Sequence, residues 1–216
     1  MSLLYDWAGY NIKIFDFLNN LIENVTVLRI LKFITDYIGY YYMFPIHFIL
    51  LIFVMYVISH IKHRDIKTEI IYIRSIITLL FSIILVGTLG EIAKETISAL
   101  RPYCTETIIL NEKVASIMDY ASAMNKCYKS FPSGHSLYIV TLILSSWATL
   151  NTTFKYIGAI TVILVLFSRV ILGAHFPADV VYGALMGAII TLCTKFLVDK
   201  VILKSTLKRM TKVFRF

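Results

Sequence analysis

Five long apolar stretches dominate this chain. Residues 37–61 and 130–154 carry no Asp, Glu, Lys or Arg. Residues 70–93 carry only Arg74 and Glu91, near opposite ends; 156–174 carry only Arg169, and 177–198 only Asp179 and Lys195. Each is close to or above the roughly 20 residues that a helix needs to cross a bilayer core of about 30 Å. A barrel strand would be about half as long and would alternate apolar and polar positions. The pattern predicts an all-α fold, a polytopic membrane bundle of five or six transmembrane helices. The sixth depends on residues 1–36, where Tyr10-Asn-Ile-Lys-Ile-Phe-Asp-Phe-Leu mixes apolar and charged positions. That mixture suits a helix lying at the interface or partly inserted.

Composition agrees. The chain is 58% hydrophobic and only 16% charged over 216 residues, and its mean hydropathy is +0.77. A soluble domain carries about 25% charged residues. The first twenty residues hold Asp6, Lys13 and Asp16, so no cleavable signal peptide is expected. The net charge of +8 is uneven: residues 195–216 hold seven Lys or Arg against Asp199 alone. Such a tail could contact nucleic acid, but beside a membrane helix it reads as a positive-inside anchor. No nucleic-acid partner is expected. The chain divides into an N-terminal segment (1–36), a transmembrane domain (37–200) and a basic cytoplasmic tail (201–216).

The loops orient the spans. Lys62, Arg64 and Lys67 crowd the 62–68 connection, and Lys155 lies in the 151–155 loop. With the tail, these go inside. The connections at 94–131 and 169–179 then lie outside, and they gather three polar segments at one membrane edge. In the first, Lys94 and Arg101 stand seven residues apart before Pro102. On a helix that is about two turns, which puts both cations on one face, with Pro102 ending the helix. A point-charge ammonium and a planar guanidinium suit a phosphoryl group, although a snorkelling pair would look the same. The second segment, Pro132-Ser133-Gly134-His135, opens a span. Ser is a good N-cap, Gly admits a ligand to the backbone, and free amides at a helix start bind anions. Capping alone would also explain the Ser. The third is Ser168-Arg169, then His175 and Asp179. Asp179, four residues on, can reach back to one imidazole nitrogen, fix the tautomer and leave the other a better nucleophile. A helix cap beside a chance histidine is the plainer alternative. Ionisable groups are costly at a membrane edge, which favours function.

Together the segments read Lys-x6-Arg-Pro, Pro-Ser-Gly-His and Ser-Arg-x5-His-x3-Asp, and in order, spacing and all eleven specified positions this resembles the type 2 phosphatidic acid phosphatase superfamily. The resemblance covers residues 70–200. It implies that His175 attacks phosphorus to form a phosphohistidine, that Asp179 orients it, and that His135 protonates the leaving oxygen and later helps activate water. It implies that Lys94, Arg101, Ser133, Gly134 and Arg169 bind the phosphate oxygens. No metal or other cofactor is implied, because the cations stabilise the transition state; nor does the sequence show a carboxylate cluster suited to Mg²⁺. The partners implied are the bilayer and a lipid phosphate: undecaprenyl diphosphate, phosphatidylglycerol phosphate, phosphatidic acid or the phosphates of lipid A. In a bacterium this would be an inner-membrane enzyme with a periplasmic site. Soluble vanadium haloperoxidases share the same core, but the hydropathy opposes that branch. A phosphotransferase passing the phosphoryl group to another lipid stays open, as does a non-catalytic lipid carrier, which the intact His175, His135 and Asp179 disfavour.

Remaining features are read structurally. His47, His60 and His63 lie away from the three segments, and Tyr40-Tyr41-Tyr42 fits an interface belt. Cys104 and Cys127 share the outer loop and pair if that compartment is oxidising. Cys193 is assigned to packing. Residues 112–126, carrying Met118, Tyr120 and Met124, read either as a short helix that helps cover the site and choose the head group or as a tethering loop.

Overall fold

The computed structural model describes residues 3–38, 66–119 and 123–213, with residue 49. The span expected at 37–61, the three histidines at 47, 60 and 63 and the tyrosine run at 40–42 thus lie almost wholly outside the described residues. Every described element is helical. The elements are α1 (Leu3–Asp6), α2 (Tyr10–Asn19), α3 (Val25–Ile38), α4 (Ile66–Ile97), α5 (Glu112–Ser116), α6 (Gly134–Ser146), α7 (Thr152–Ile171) and α8 (Pro177–Val213).

Three stretches are long and apolar enough to cross a membrane: Glu69–Cys104, Thr152–Ile171 and Pro177–Val201. They match three of the expected spans. The fourth, expected over 130–154, is shorter than the pattern suggested. Its helix α6 runs only from Gly134 to Ser146, about 20 Å at 1.5 Å per residue. Residues 130–133 are non-helical, and a turn follows Ser146 before Asn151 caps α7 by accepting from Phe154 N at 2.9 Å. The short helix is tolerable because α6 is covered by protein, packing against α4, α7 and α8.

Close packing of α6 on α8 rests on two glycines, Gly183 and Gly187, one turn apart. A Cβ on Gly183 would stand 2.8 Å from the Ser133 carbonyl oxygen, and one on Gly187 would stand 2.8 Å from that of Leu137. Two helices approach this closely in a membrane only where side chains are absent. The approach also lets Ser133 N donate to the Asp179 carbonyl at 3.0 Å, tying the start of α6 to the first turn of α8. Arg74 of α4, the only cation of the 70–93 stretch, is not left unpaired. It pairs with Asp199 on α8, its Nε donating at 2.7 Å. Cys193, assigned to packing, instead sits on the exposed face of α8.

The N-terminal segment forms helices α1 to α3, and α2 and α3 pack onto the bundle. Phe15, Leu18 and Leu28 enter a core with Val114, Val170, Ile171, Leu172, Phe176 and Val180. Two buried asparagines fix its register: Asn11 Oδ1 accepts from Ala178 N at 2.9 Å, and Asn19 Nδ2 donates to the Ile171 carbonyl at 2.9 Å. This core lies directly under the turn that carries His175.

Gly187→Ala should push α6 off α8 and lower stability by about 1–3 kcal/mol, the usual cost of overpacking. Thermal unfolding of the detergent-solubilised variant checks this; an unchanged midpoint would refute the close approach.

Candidate active site

The three polar segments meet. Lys94, Arg101, Gly134, His135, Arg169 and His175 all line one cavity of about 460 Å³, together with Asp36, Glu91, Asn125, Lys126 and Lys129. Asp179 lies behind His175 and is fully buried, and Ser133 is equally buried beside Gly134. Ser168 stands apart: its hydroxyl donates to the Val165 carbonyl of its own helix at 2.6 Å.

The route by which Lys94 and Arg101 converge differs from the expectation. They do not share a helix face. Helix α4 ends at Ile97, Ser98 takes a positive φ of 47°, and Arg101 is extended at φ −78°, ψ 154°. The chain has left the helix before Pro102, which opens a short 3₁₀ turn. Arg101 is then held by backbone carbonyls, donating to Lys126 and Lys129 at 3.1 Å each and to Ala174 at 3.3 Å. A guanidinium has five N–H donors, so two remain for a ligand. Arg101 thus joins three pieces of the cavity wall as well as contributing charge.

His175 is placed by the end of α7. Gly173 adopts φ +65°, a left-handed turn that favours glycine, and a Cβ there would stand 2.7 Å from Leu110 Cδ2. The chain doubles back so that the amides of Ala174 and His175 both donate to the Arg169 carbonyl, at 3.0 and 3.2 Å. His175 Nδ1 faces Asp179 Oδ2 at 3.6 Å, just beyond hydrogen-bond length. Asp179 Oδ2 also accepts from Ser130 Oγ at 2.5 Å and Phe176 N at 2.9 Å, while Oδ1 accepts from Tyr5 Oη–H at 2.8 Å. Burial, then the neighbouring Asp179, push the Tyr5 hydroxyl well above its ordinary range, so it stays a donor. On the other flank, Arg169 Nη1 donates to Thr35 Oγ1 at 3.2 Å and lies 4.0 Å from Asp36 Oδ1.

Tyr5, Thr35 and Asp36 are absent from the sequence reading because single polar residues in a mixed segment carry no spacing signal. Glu91 was visible only as a charge near the end of a span. It sits in the cavity wall, its Oε1 2.6 Å from Lys94 Nζ. Ser133 holds the N-cap position of α6 without making a side-chain capping bond, and its Oγ has no hydrogen-bond partner among the described residues. Of the two readings of 112–126, the helix stops at Ser116, although Ile117 and Met118 do line a neighbouring cavity of about 490 Å³. Met124 is exposed, and Tyr120 lies outside the described residues. Cys104 and Cys127 form a disulfide, with Cα atoms 5.7 Å apart. Among the described residues, no three His, Cys, Asp or Glu side chains are grouped to hold a metal ion.

Two outcomes follow from this geometry. Tyr5→Phe removes one donor from a buried carboxyl and should cost about 1–3 kcal/mol of stability. The loss should shrink when Asp179→Asn is already present, a coupling that a double-mutant cycle reads directly. The second concerns acid. Burial first, then the charges of Arg101, Arg169 and Lys94, hold the His175 imidazole well below its ordinary value, outweighing an opposing hydrogen bond to the Ser130 backbone. The unfolded chain takes up this proton near pH 6.5, while the folded chain resists it. Stability is therefore intact above about pH 6.5 and falls as the pH drops below it. Unfolding midpoints measured from pH 7 to 5 should decline less steeply in His175→Gln than in the wild type.

Comparison with known proteins points one way. Residues 75–202 match the model of the PAP2 superfamily. The chain is 32% identical over 183 residues to an undecaprenyl-diphosphatase of Sulfolobus acidocaldarius, covering 83% of this chain and 74% of that one. Its fold is similar to the crystal structure of Aquifex aeolicus LpxE, with a TM-score of 0.64 at 22% identity over 86% of this chain and 94% of that chain. Since the family match spans the helices that bring Lys94, His135 and His175 to one cavity, the chain belongs to the PAP2 superfamily and is a membrane phosphatase of that type.

Proposed function

We propose that the protein hydrolyses the phosphate or diphosphate group of a membrane lipid through a phosphohistidine at His175, on the outer face of the membrane. One observation carries the reading: three cations, two imidazoles and the start of α6 converge on one cavity, with an acid behind one imidazole.

The chemistry follows from placement. His175 attacks phosphorus through the ring nitrogen away from Asp179, whose carboxyl holds the tautomer. Phosphate oxygens are received by Lys94, Arg101, Arg169, the amide end of α6 at Gly134 and the hydroxyl of Ser133. These groups are fixed before substrate arrives, so they stabilise transition-state charge without reorganising. His135, in the first turn of α6, gives a proton to the leaving oxygen and then takes one from the attacking water.

The lipid is supported by a second cavity of about 260 Å³. It is lined by Ile83, Val86, Gly87, Gly90, Leu137 and Tyr138, and it shares Glu91, Lys94 and Gly134 with the first. An apolar groove joined to a cationic pocket suits a chain with a phosphorylated end. The name of the Sulfolobus relative makes undecaprenyl diphosphate the leading candidate. The outer face is supported by the positive-inside reading of the loops and by the Cys104–Cys127 disulfide, which belongs to an oxidising compartment. In a bacterium that is the periplasmic side of the inner membrane.

Purified protein should release phosphate from at least one of a panel of lipid phosphates with EDTA present, and His175→Ala should lower that rate roughly a thousandfold or more. Near-normal turnover by the variant would overturn the assignment. In a Cys193→Ser background, a membrane-impermeant thiol reagent should label Asn111→Cys and spare Lys208→Cys; the reverse pattern would invert the topology.

A further inference from the structure

The cavity holds more positive charge than one phosphate requires. Lys94, Arg101 and Arg169 are accounted for by the motifs. Lys126 and Lys129 belong to none, yet both line the same cavity, where five cations face the carboxylates of Glu91 and Asp36. Glu91 lies between two of the cations. Its Oε1 is 2.6 Å from Lys94 Nζ and its Oε2 is 3.7 Å from Lys129 Nζ. One small anion with two oxygens therefore already spans the motif lysine and the extra one.

The loop bearing these lysines is rigidly attached. Arg101 N donates to the Cys127 carbonyl at 2.8 Å, and Ser130 N to the Ala99 carbonyl at 3.0 Å. The Arg101 guanidinium holds the carbonyls of Lys126 and Lys129 themselves. The Cys104–Cys127 disulfide closes the same loop. The backbone ordering needed to present both ammonium groups is thus complete before any ligand binds, which favours affinity. Position matters as well. Glu91 lines both the cationic cavity and the apolar groove, so Lys129 stands where the two meet, on the path from His175 toward the lipid chain.

We infer that Lys126 and Lys129, acting with Lys94, form a second phosphate subsite that receives the lipid-bearing phosphate of a lipid diphosphate, displacing the Glu91 carboxylate. This rests on the reading of His175 as the group that attacks phosphorus. The His175 nitrogen bonds to the terminal phosphorus, and the bond from that phosphorus to the bridging oxygen breaks. The electron pair stays on the bridging oxygen, which leaves as the lipid monophosphate and takes its proton from His135. Water then attacks the phosphohistidine, the N–P bond breaks, inorganic phosphate departs and the water proton returns to His135. Negative charge grows on the leaving phosphate in the first step, where Lys126 and Lys129 stand. The two lysines therefore act on the rate as well as on binding. A monoester has no group to place there.

The test compares farnesyl diphosphate with farnesyl monophosphate, using the full chain in detergent with EDTA. In Lys126→Gln/Lys129→Gln the ratio of kcat/KM for diphosphate over monophosphate should fall tenfold or more, while Lys113→Gln, an exposed lysine of α5 outside the cavity, should keep the wild-type ratio. A ratio within threefold of wild type in the double variant would overturn the subsite, because lysines that merely pair with Glu91 would affect both substrates alike. Thermal protection by inorganic pyrophosphate and by inorganic phosphate gives an answer that does not need turnover. Pyrophosphate should protect the wild type at lower concentration than phosphate does, and the advantage should disappear in the double variant. Equal protection of the wild type by both anions would also overturn the subsite. Should the wild type release phosphate from neither lipid, the phosphatase reading of this site fails, and the anion comparison alone decides the subsite.

Discussion

A carboxyl with no contact with solvent has to be satisfied by the protein around it, and much of this fold answers to Asp179. Its two oxygens take donors from Tyr5, Ser130 and the amide of Phe176, and its backbone carbonyl takes the amide of Ser133. These four partners come from the N-terminal segment, the loop before α6, the turn before α8 and the start of α6. Removing any donor leaves part of a buried polar group unpaired, at a cost of about 1–3 kcal/mol. The same carboxyl stands 3.6 Å from His175. The requirement to satisfy a buried acid therefore places the imidazole that is proposed to attack phosphorus.

The motif cations of the cavity are each held by an anion or a dipole of the protein. Arg169 leans on Thr35 and Asp36, Lys94 on Glu91, and Arg101 on three carbonyls. Cations gathered without such partners would repel one another and resist burial. Each partner is an anion or a dipole that a phosphate can replace or supplement. Burial first, and then the surrounding cations, oppose a further positive charge on His175 and lower its affinity for a proton.

How legible this was in the sequence depended on the kind of constraint. Apolar length announced α4, α7 and α8, because a bilayer imposes it directly. The residues at the ends of those helices were legible from their fixed spacing. The path between them was not: Lys94 and Arg101 were placed on one helix, whereas the chain leaves α4 at Ile97. Composition could not reveal that a turn at Ser98 would achieve the same convergence. Gly183 and Gly187 went unnoticed because their meaning lies in Ser133 and Leu137, some fifty residues away. Tyr5, Asn11, Asn19 and Thr35 were illegible for the same reason. Each hydrogen-bonds to a partner far along the chain, Asn19 to two, and a lone polar residue carries no period.

The ties of the N-terminal segment also impose an order of assembly. Tyr5 precedes its partner Asp179 by 174 residues, and Asn11 precedes Ala178 by 167. During synthesis the N-terminal segment must wait for α8, since neither contact exists until that helix has entered the membrane. Contacts of such long range form late and slowly. A nascent chain with its earlier helices already inserted therefore has an unfinished His175–Asp179 pair, and the site is completed in the same event that completes the bundle.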